Sequence, residues 1–138
     1  RKQAFHVYVL LGDGECNEGS IWEAANMAAA QSIDNLTVFI DSNKWQATDR
    51  SEDLLGNTSH KQKWEAFGWN TYEINGNNMK EVLNVLSKKP KKGIPTAVVL
   101  NTIKGSGVSF MEDNNNWHYR IPNLEEVGLS FEELGVEL

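Results

Sequence analysis

The sequence has 138 residues, of which 40% are hydrophobic and 23% charged, which suits one globular domain with a hydrophobic core. Its net charge of −6 and its pI near 5.0 argue against nucleic acid as the main partner. No apolar run reaches the roughly 20 residues that would cross a bilayer, so we expect no membrane span. The single cysteine, Cys16, excludes an internal disulfide and is typical of a reducing compartment, which we take to be the cytoplasm.

The first predicted elements are a strand, a glycine turn and a helix. Residues 5–11 read FHVYVLL, a nearly continuous apolar run that predicts a buried strand of a parallel sheet. Gly12-Asp13-Gly14 forms the turn after it. Apolar residues at helical spacing then predict a helix over 18–30. Its run of alanines permits either packing on the sheet or contact with a second helix across a dimer interface.

A second strand, predicted over 36–40, ends in Asp41-Ser42-Asn43. Because the carboxyl ends of parallel strands lie at the same edge of a sheet, we expect Asp13 and Asn43 to lie close together. Their oxygen atoms suit Mg²⁺ or Ca²⁺, and the glycines allow backbone N–H groups to approach a phosphate. The alternative is that both are turn residues whose side chains hydrogen-bond their own backbone.

The rest of the chain alternates predicted helices and strands. Residues 44–57 have no clear periodicity and predict a surface loop. Helices are predicted over 59–67 and 79–86, the second with Met79, Val82, Leu83 and Leu86 facing inward, and an acidic helix after Asn123. Strands are predicted over 69–74 and 95–102. This alternation predicts an α/β domain with a mainly parallel sheet flanked by helices.

Three blocks of sequence carry a resemblance to a known family. Gly12-Asp13-Gly14 with Asn43 downstream resembles the signature of thiamine diphosphate enzymes. The stretches GDGECNEGSIWEAANMAA and LTVFIDSNKWQ are more similar to transketolases than to other branches, as is IKGSGVSFME followed by Trp117-His118. The resemblance covers residues 7–118, and three blocks in the right order make it specific.

The resemblance implies a cofactor site that holds thiamine diphosphate and Mg²⁺ (or Ca²⁺). Asp13, Asn43 and the backbone carbonyl of Trp45 would bind the metal. Two residues would have catalytic roles: His118 matches a histidine that faces the diphosphate and substrate, and Glu18 matches a glutamate of the dimer interface that links two cofactor sites. The implied cofactor-binding residues are Gly12, Gly14, Glu15, Asn43, Ala47, Lys104 and His118.

The resemblance also implies a function for the whole protein. We expect residues 1–138 to be the diphosphate-binding part of a transketolase, incomplete at its N-terminus. The reaction would move a two-carbon ketol unit from a ketose phosphate to an aldose phosphate. The activating glutamate of the family belongs to a pyrimidine-binding domain or C-terminal subunit, so we expect that partner within a homodimer or heterotetramer.

Three other functions remain open. The decarboxylating component of 2-oxo acid dehydrogenases shares the Gly-Asp-Gly element but lacks the Lys-Gly…Trp-His block. 1-Deoxy-D-xylulose-5-phosphate synthase shares the element around Lys104, and activity on pyruvate would distinguish it. A non-catalytic homologue that only binds the cofactor is the third, and the intact Asp13 and Asn43 argue against lost metal binding.

Overall fold

Four parallel strands form one sheet in a computed structural model that describes residues 4–56 and 58–137, without the side chain of Leu55. The strand order is β1-β2-β4-β3, with β1 (Val7–Gly12), β2 (Leu36–Ser42), β3 (Asn70–Asn75) and β4 (Thr96–Asn101). The helices are α1 (Gly19–Ala30), α2 (Ser51–Leu55), α3 (His60–Ala66), α4 (Met79–Leu86) and α5 (Leu124–Leu134), with 3₁₀ turns at Glu15–Asn17 and Asn115–His118. The predicted α/β class with a parallel sheet is confirmed.

The core lies between one face of the sheet and helices α1 and α3. Trp69, immediately before β3, is buried and donates its indole N–H to the carbonyl of Ala25, 2.9 Å away. Ala25 and Ala28 are buried, which supports packing on the sheet for these two alanines. The core residues are Leu11, Cys16, Ala25, Ala28, Val38, Ile40, Trp64, Trp69, Ala97 and Val99.

Local sequence signals set the helix ends as predicted. Ser59 accepts a hydrogen bond from the backbone N–H of Gln62 at the start of α3, and Gly68 follows that helix with a φ of 84°. Asn123 and Glu126 form a capping box at the start of α5. None of the helices in the described residues is long and apolar enough to cross a membrane.

The prediction that the first strand is buried is wrong. Of the apolar residues in β1, only Leu11 is buried, while Tyr8, Val9 and Leu10 are exposed. The reason is position: within the described residues β1 pairs only with β2 and therefore forms an edge of the sheet. The apolar run indicated a strand correctly, but it does not encode which elements cover that strand.

Two further predictions need correction. The predicted surface loop over 44–57, of which Asn57 is not described, contains the short helix α2 and an isolated antiparallel bridge between Trp45 and Arg50. In α4, Met79, Leu83 and Leu86 are exposed, and Val85 is buried instead. An apolar stripe shows which residues can pack, but the neighbouring strand decides which of them do.

The burial pattern predicts that two similar side-chain truncations lower the free energy of unfolding by different amounts. The side chain of Ile40 in β2 is 0% exposed, whereas Leu10 in β1 is 68% exposed. We expect Ile40→Ala to lower the free energy of unfolding by about 2–5 kcal/mol, because it removes packing and leaves a cavity. Leu10→Ala should cost less than about 1 kcal/mol. Urea denaturation of both variants measures the difference, and equal losses would contradict the edge position of β1.

Candidate functional site

The carboxyl ends of three strands meet at one edge of the sheet. Gly12 pairs in register with Asp41, and the backbone N–H of Asp13 donates to the Asp41 carbonyl across 3.2 Å. Ser42 pairs with Asn101 at the end of β4. The parallel register therefore brings Asp13 and the segment leading to Asn43 to the same edge, as expected from the order of strand, turn and strand.

Asp13 is a buried carboxylate, only 4% exposed. One oxygen, Oδ1, accepts the backbone N–H of Gly14 at 2.8 Å, and the other, Oδ2, accepts the Ser51 hydroxyl at 2.6 Å. Buried carboxylates are stable only when they are hydrogen-bonded or bind a cation. Each oxygen of Asp13 retains further acceptor capacity, so these bonds orient the carboxylate without exhausting it.

The amide of Asn43 has a defined orientation. Its Nδ2 donates to Asp41 Oδ2 at 3.2 Å, which leaves Oδ1 to accept the backbone N–H of Trp45 at 3.0 Å. Asp41 is fixed in turn by the hydroxyl of Thr102. Both Asp13 and Asn43 thus make the local backbone bonds that the turn alternative predicts.

The available oxygen atoms fit a hard divalent cation. One carboxylate, one amide carbonyl and one backbone carbonyl are the ligand types that Mg²⁺ and Ca²⁺ take in proteins, with remaining positions filled by water or phosphate oxygens. Across residues 4–56 and 58–137, no group of three or more His, Cys, Asp or Glu side chains is placed to hold a metal. The metal ligands implied by the resemblance would not form such a group, because only one of the three, Asp13, is a carboxylate.

The glycine turn leaves room for a ligand at one position. A Cβ built at Gly12 meets nothing within 4 Å, whereas one at Gly14 would lie 3.4 Å from Cγ of Gln46. The backbone N–H of Gly12 donates to Oε2 of Glu15 at 3.2 Å. A phosphate at Gly12 would therefore replace the Glu15 carboxylate, so the cofactor role expected for Glu15 requires its side chain to move.

The described contacts divide the remaining expected site residues into separate groups. The Ala47 carbonyl accepts Nδ2 of Asn115 at 3.4 Å, which joins it to the 3₁₀ turn that ends in His118. His118 is exposed, and its ring lies 4.6 Å from that of Tyr119. Among the described residues, no hydrogen bond or ion pair joins the side chains of Lys104 or His118 to Asp13 or Asn43. Glu18 is exposed at the start of α1, where its side chain makes no capping bond.

A cavity of about 430 Å³ opens beside Asp13. Most of its walls come from the residues that follow β2 and from α3, including Ser51, His60 and Lys63. Burial, together with the nearby Lys63, lowers the pKa of His60, so its imidazole is neutral near pH 7. Of the residues expected at the site, only Asp13 lines this cavity.

Sequence reasoning missed three residues that contact the site. Ser51 bonds Asp13, and Arg50 and Asp113 form a group with the Trp45 side chain. A signal for Ser51 was present, because Ser-Glu-Asp after an irregular stretch is typical of a helix start. Arg50 and Asp113 had no local signal, since they lie 63 positions apart.

The chain is a parallel α/β domain with a glycine turn and oxygen-bearing side chains at the carboxyl edge of its sheet. The chain belongs to the family described as transketolase, thiamine diphosphate binding domain, whose sequence model matches residues 3–137. The binding of thiamine diphosphate is the property that defines this family of domains.

Individual proteins that are similar to this chain are named as transketolases or as transketolase subunits. The chain is 44% identical over 128 residues to one subunit of the apulose-4-phosphate transketolase of Actinobacillus succinogenes, a match that covers 93% of this chain and 46% of that protein. It is 40% identical over 107 residues to the 6-deoxy-6-sulfo-D-fructose transketolase subunit SqwG of a Clostridium species, covering 77% of this chain and 39% of the relative. The solved structure of transketolase from Campylobacter jejuni matches 97% of this chain and 21% of its own, with a TM-score of 0.89 and 26% identity. The chain thus spans about half the length of the first of these relatives.

The environment of Cys16, next to the glycine turn, predicts an unreactive thiol. Burial, and then the nearby Glu15 and Asp13 carboxylates, raise the pKa of Cys16 to about 12. Only a thiolate attacks disulfide reagents, so at pH 8 we expect labelling of the folded protein to be at least about 100-fold slower than in denaturant, where the pKa returns to about 8.5.

Labelling with a chromogenic disulfide, with and without guanidinium, measures this rate difference. A Cys16→Ser variant gives the background. Equal rates for the folded and unfolded protein would contradict the burial of this thiol.

Proposed function

We propose that residues 1–138 are the diphosphate-binding domain, or part of it, of a transketolase-type transferase that uses thiamine diphosphate and Mg²⁺, with Ca²⁺ as a substitute. The observation that carries this proposal is the position of Asp13 and Asn43 at the ends of two adjacent parallel strands, next to a glycine turn. Membership of the thiamine diphosphate-binding family supports it.

Three oxygen ligands would hold the metal in this proposal: an Asp13 oxygen, Asn43 Oδ1 and the Trp45 carbonyl. The orientation of the first two is already set by Ser51, Gly14 and Asp41. Ligand groups that are pre-oriented by a surrounding shell of hydrogen bonds bind metal more tightly, because less order has to be gained on binding. A metal at this point would neutralise the diphosphate and fix it at the carboxyl edge.

The remaining residues would act on the diphosphate and the substrate. In this proposal Gly12 and Gly14 would let backbone N–H groups approach the phosphates, and Ala47, from the loop after β2, would contact the cofactor together with Lys104 and His118, which follow β4. Thiamine diphosphate, when bound, supplies the nucleophilic carbon that cleaves the ketose. His118, as an exposed imidazole, would hydrogen-bond the substrate or the diphosphate and move a proton.

The whole protein, in this proposal, needs a pyrimidine-binding partner domain or subunit. Relatives whose names describe them as single subunits of a transketolase support an assembly built from two kinds of chain. We therefore propose a heterotetramer when the partner is a separate subunit and a homodimer when it is a domain of the same longer chain, with Glu18 at the contact between the two cofactor sites. Sugar phosphates in the cytoplasm are the proposed substrates, because the related apulose-4-phosphate transketolase is named after one.

The metal site predicts a specific loss of cofactor binding. Asp13→Ala should weaken binding of thiamine diphosphate in the presence of Mg²⁺ by at least about 100-fold, because it removes the only charged metal ligand of the set. Asp13→Asn should also weaken binding, but its remaining oxygen can still accept the Gly14 N–H and its amide nitrogen can donate to the Ser51 hydroxyl, so this variant separates loss of charge from loss of structure. Isothermal titration calorimetry with Mg²⁺ and with EDTA measures both effects.

The matched control for this experiment is Asp53→Ala, which removes an exposed carboxylate of α2. It should bind the cofactor as the wild type does. Unchanged affinity in Asp13→Ala would refute the proposed metal site, and wild-type binding that persists in EDTA would refute the role of the metal.

In the proposed assembly the active site is divided between this chain and a pyrimidine-binding partner. We therefore predict that this chain alone does not catalyse ketol transfer. The activating glutamate would belong to the partner, so purified chain should give no transfer between a ketose phosphate and an aldose phosphate. Adding a pyrimidine-binding subunit should produce turnover, and His118→Ala in that assembly should lower kcat by about 100-fold or more, as expected for loss of a general acid or base.

A coupled assay of sugar phosphates, with pyruvate as a second donor, measures these rates. Turnover by the chain alone would overturn the proposed division. Consumption of pyruvate by the assembly would favour 1-deoxy-D-xylulose-5-phosphate synthase or a 2-oxo acid dehydrogenase component. Cofactor binding without any turnover in the assembly would favour a non-catalytic homologue.

A further inference from the structure

A three-residue group joins two loops that are distant in sequence. The carboxylate of Asp113 accepts a hydrogen bond from the Trp45 indole N–H at 2.8 Å. It also accepts one from each terminal nitrogen of Arg50, at 2.7 and 2.6 Å. The Arg50 guanidinium lies 3.7 Å from the centre of the Trp45 ring. Each member contacts the other two, so we call Trp45, Arg50 and Asp113 the clamp.

One end of the clamp lies in the segment that would bind the metal. The backbone N–H of Trp45 donates to Asn43 Oδ1, and Trp45 and Arg50 form an antiparallel bridge. Ser51, the neighbour of Arg50, donates its backbone N–H to the Lys44 carbonyl and its hydroxyl to Asp13. A displacement of Arg50 would therefore change the positions of all three proposed metal ligands.

The other end of the clamp lies in the segment that carries Lys104. Asp113 has a φ of 51° and donates its backbone N–H to the Lys104 carbonyl across 2.9 Å. The path between them is close-packed, because a Cβ at Gly105, where φ is 72°, would meet the Met111 carbonyl oxygen at 2.6 Å. Asp113 is thus held firmly relative to Lys104.

We propose that Asp113 is a positioning residue that, through Arg50 and the Trp45 indole, holds the Trp45 carbonyl where it ligates the metal of the cofactor site. This inference rests on the proposed function. Asp113 itself touches neither metal nor cofactor, and its effect passes through the loop that follows β2.

The chemistry of the clamp suits this role. The pair between Asp113 and Arg50 is bidentate, because each carboxylate oxygen of Asp113 accepts a hydrogen bond from one terminal nitrogen of Arg50. The carboxylate is 55% exposed, and an exposed ion pair contributes little to global stability. A bidentate arginine pair stacked on an aromatic ring does, however, fix geometry. The clamp should therefore order one loop without stabilising the whole fold.

The proposal is tested by titrating Mg²⁺ at a fixed concentration of thiamine diphosphate and measuring cofactor binding by calorimetry. Asp113→Ala should raise the Mg²⁺ concentration at half-saturation by about 10-fold or more, the usual size of effect for a residue that orients a metal ligand. Asp113→Asn should give a smaller increase, because its amide oxygen still accepts the Trp45 indole N–H. Saturating Mg²⁺ should restore cofactor binding in both variants.

Two readouts separate positioning from a merely structural role. The melting temperature should stay close to that of the wild type in both variants, and the indole N–H resonance of Trp45 should shift in Asp113→Ala. The matched control is Glu132→Ala, which removes an exposed carboxylate of α5 and should change neither.

The outcomes are distinct. If the wild type binds cofactor with Mg²⁺ and Asp113→Ala has the same Mg²⁺ dependence, the positioning inference is wrong and the proposed function stands. If binding and melting temperature fall together in both Asp113 variants, the residue is structural and the inference is again wrong. If the folded wild type, assembled with its pyrimidine-binding partner, shows no metal-dependent binding, the proposed function fails, and the inference fails with it.

Discussion

The parallel pairing of β1 with β2 is the constraint on which the candidate site depends. In this register Gly12 lies opposite Asp41, so β1 and β2 end at the same edge of the sheet and the backbone leaves both strands in the same direction. Asp13 then bonds back to Asp41, and Asn43 bonds to the Asp41 side chain. Asp41 therefore serves as a common reference point for two residues that are 30 positions apart in the sequence. A shift of one residue in register would send the side chains of β1 to the opposite face and separate these groups.

The buried carboxylate at this edge explains why the site is surrounded by hydrogen-bond donors. An ionised Asp13 away from water would be costly without partners, and the Gly14 N–H and the Ser51 hydroxyl supply them. The same two bonds fix the direction of the carboxylate. Burial therefore has two effects here: it requires the donors, and through them it produces an oriented acceptor beside the cavity.

Much of the fold was predictable from the sequence, because its signals are local. Continuous apolar runs indicated β2 and β4, helical spacing indicated α1 and α4, and the caps at Ser59 and Asn123 marked helix starts. The proximity of Asp13 and Asn43 followed from one general rule about parallel sheets. Other features had no local signal. The exposure of β1 and the side of α4 that packs depend on which elements lie next to them, which periodicity does not encode.

The contacts of Asp113 with Trp45 and Arg50 connect residues 68 and 63 positions apart, and an aspartate in a polar loop has the same local pattern whether it is solvated or paired. The Trp117-His118 pair was recognised by resemblance, but the described contacts do not place His118 beside Asp13.

The proposed metal ligands differ in how firmly the fold holds them, and this difference bears on where regulation or loss of function would arise. Asp13 is one residue beyond β1 and is fixed by the sheet through Asp41. Asn43 follows β2 directly and shares that support. Trp45 lies further along an irregular segment, and its placement depends on side chains, above all Arg50 and Asp113. Loops open at a lower free-energy cost than the strands they follow, so we expect the carbonyl of Trp45 to be the proposed ligand whose position varies most. The affinity for metal would then be set less by the strand-borne ligands than by the side-chain contacts of the loop.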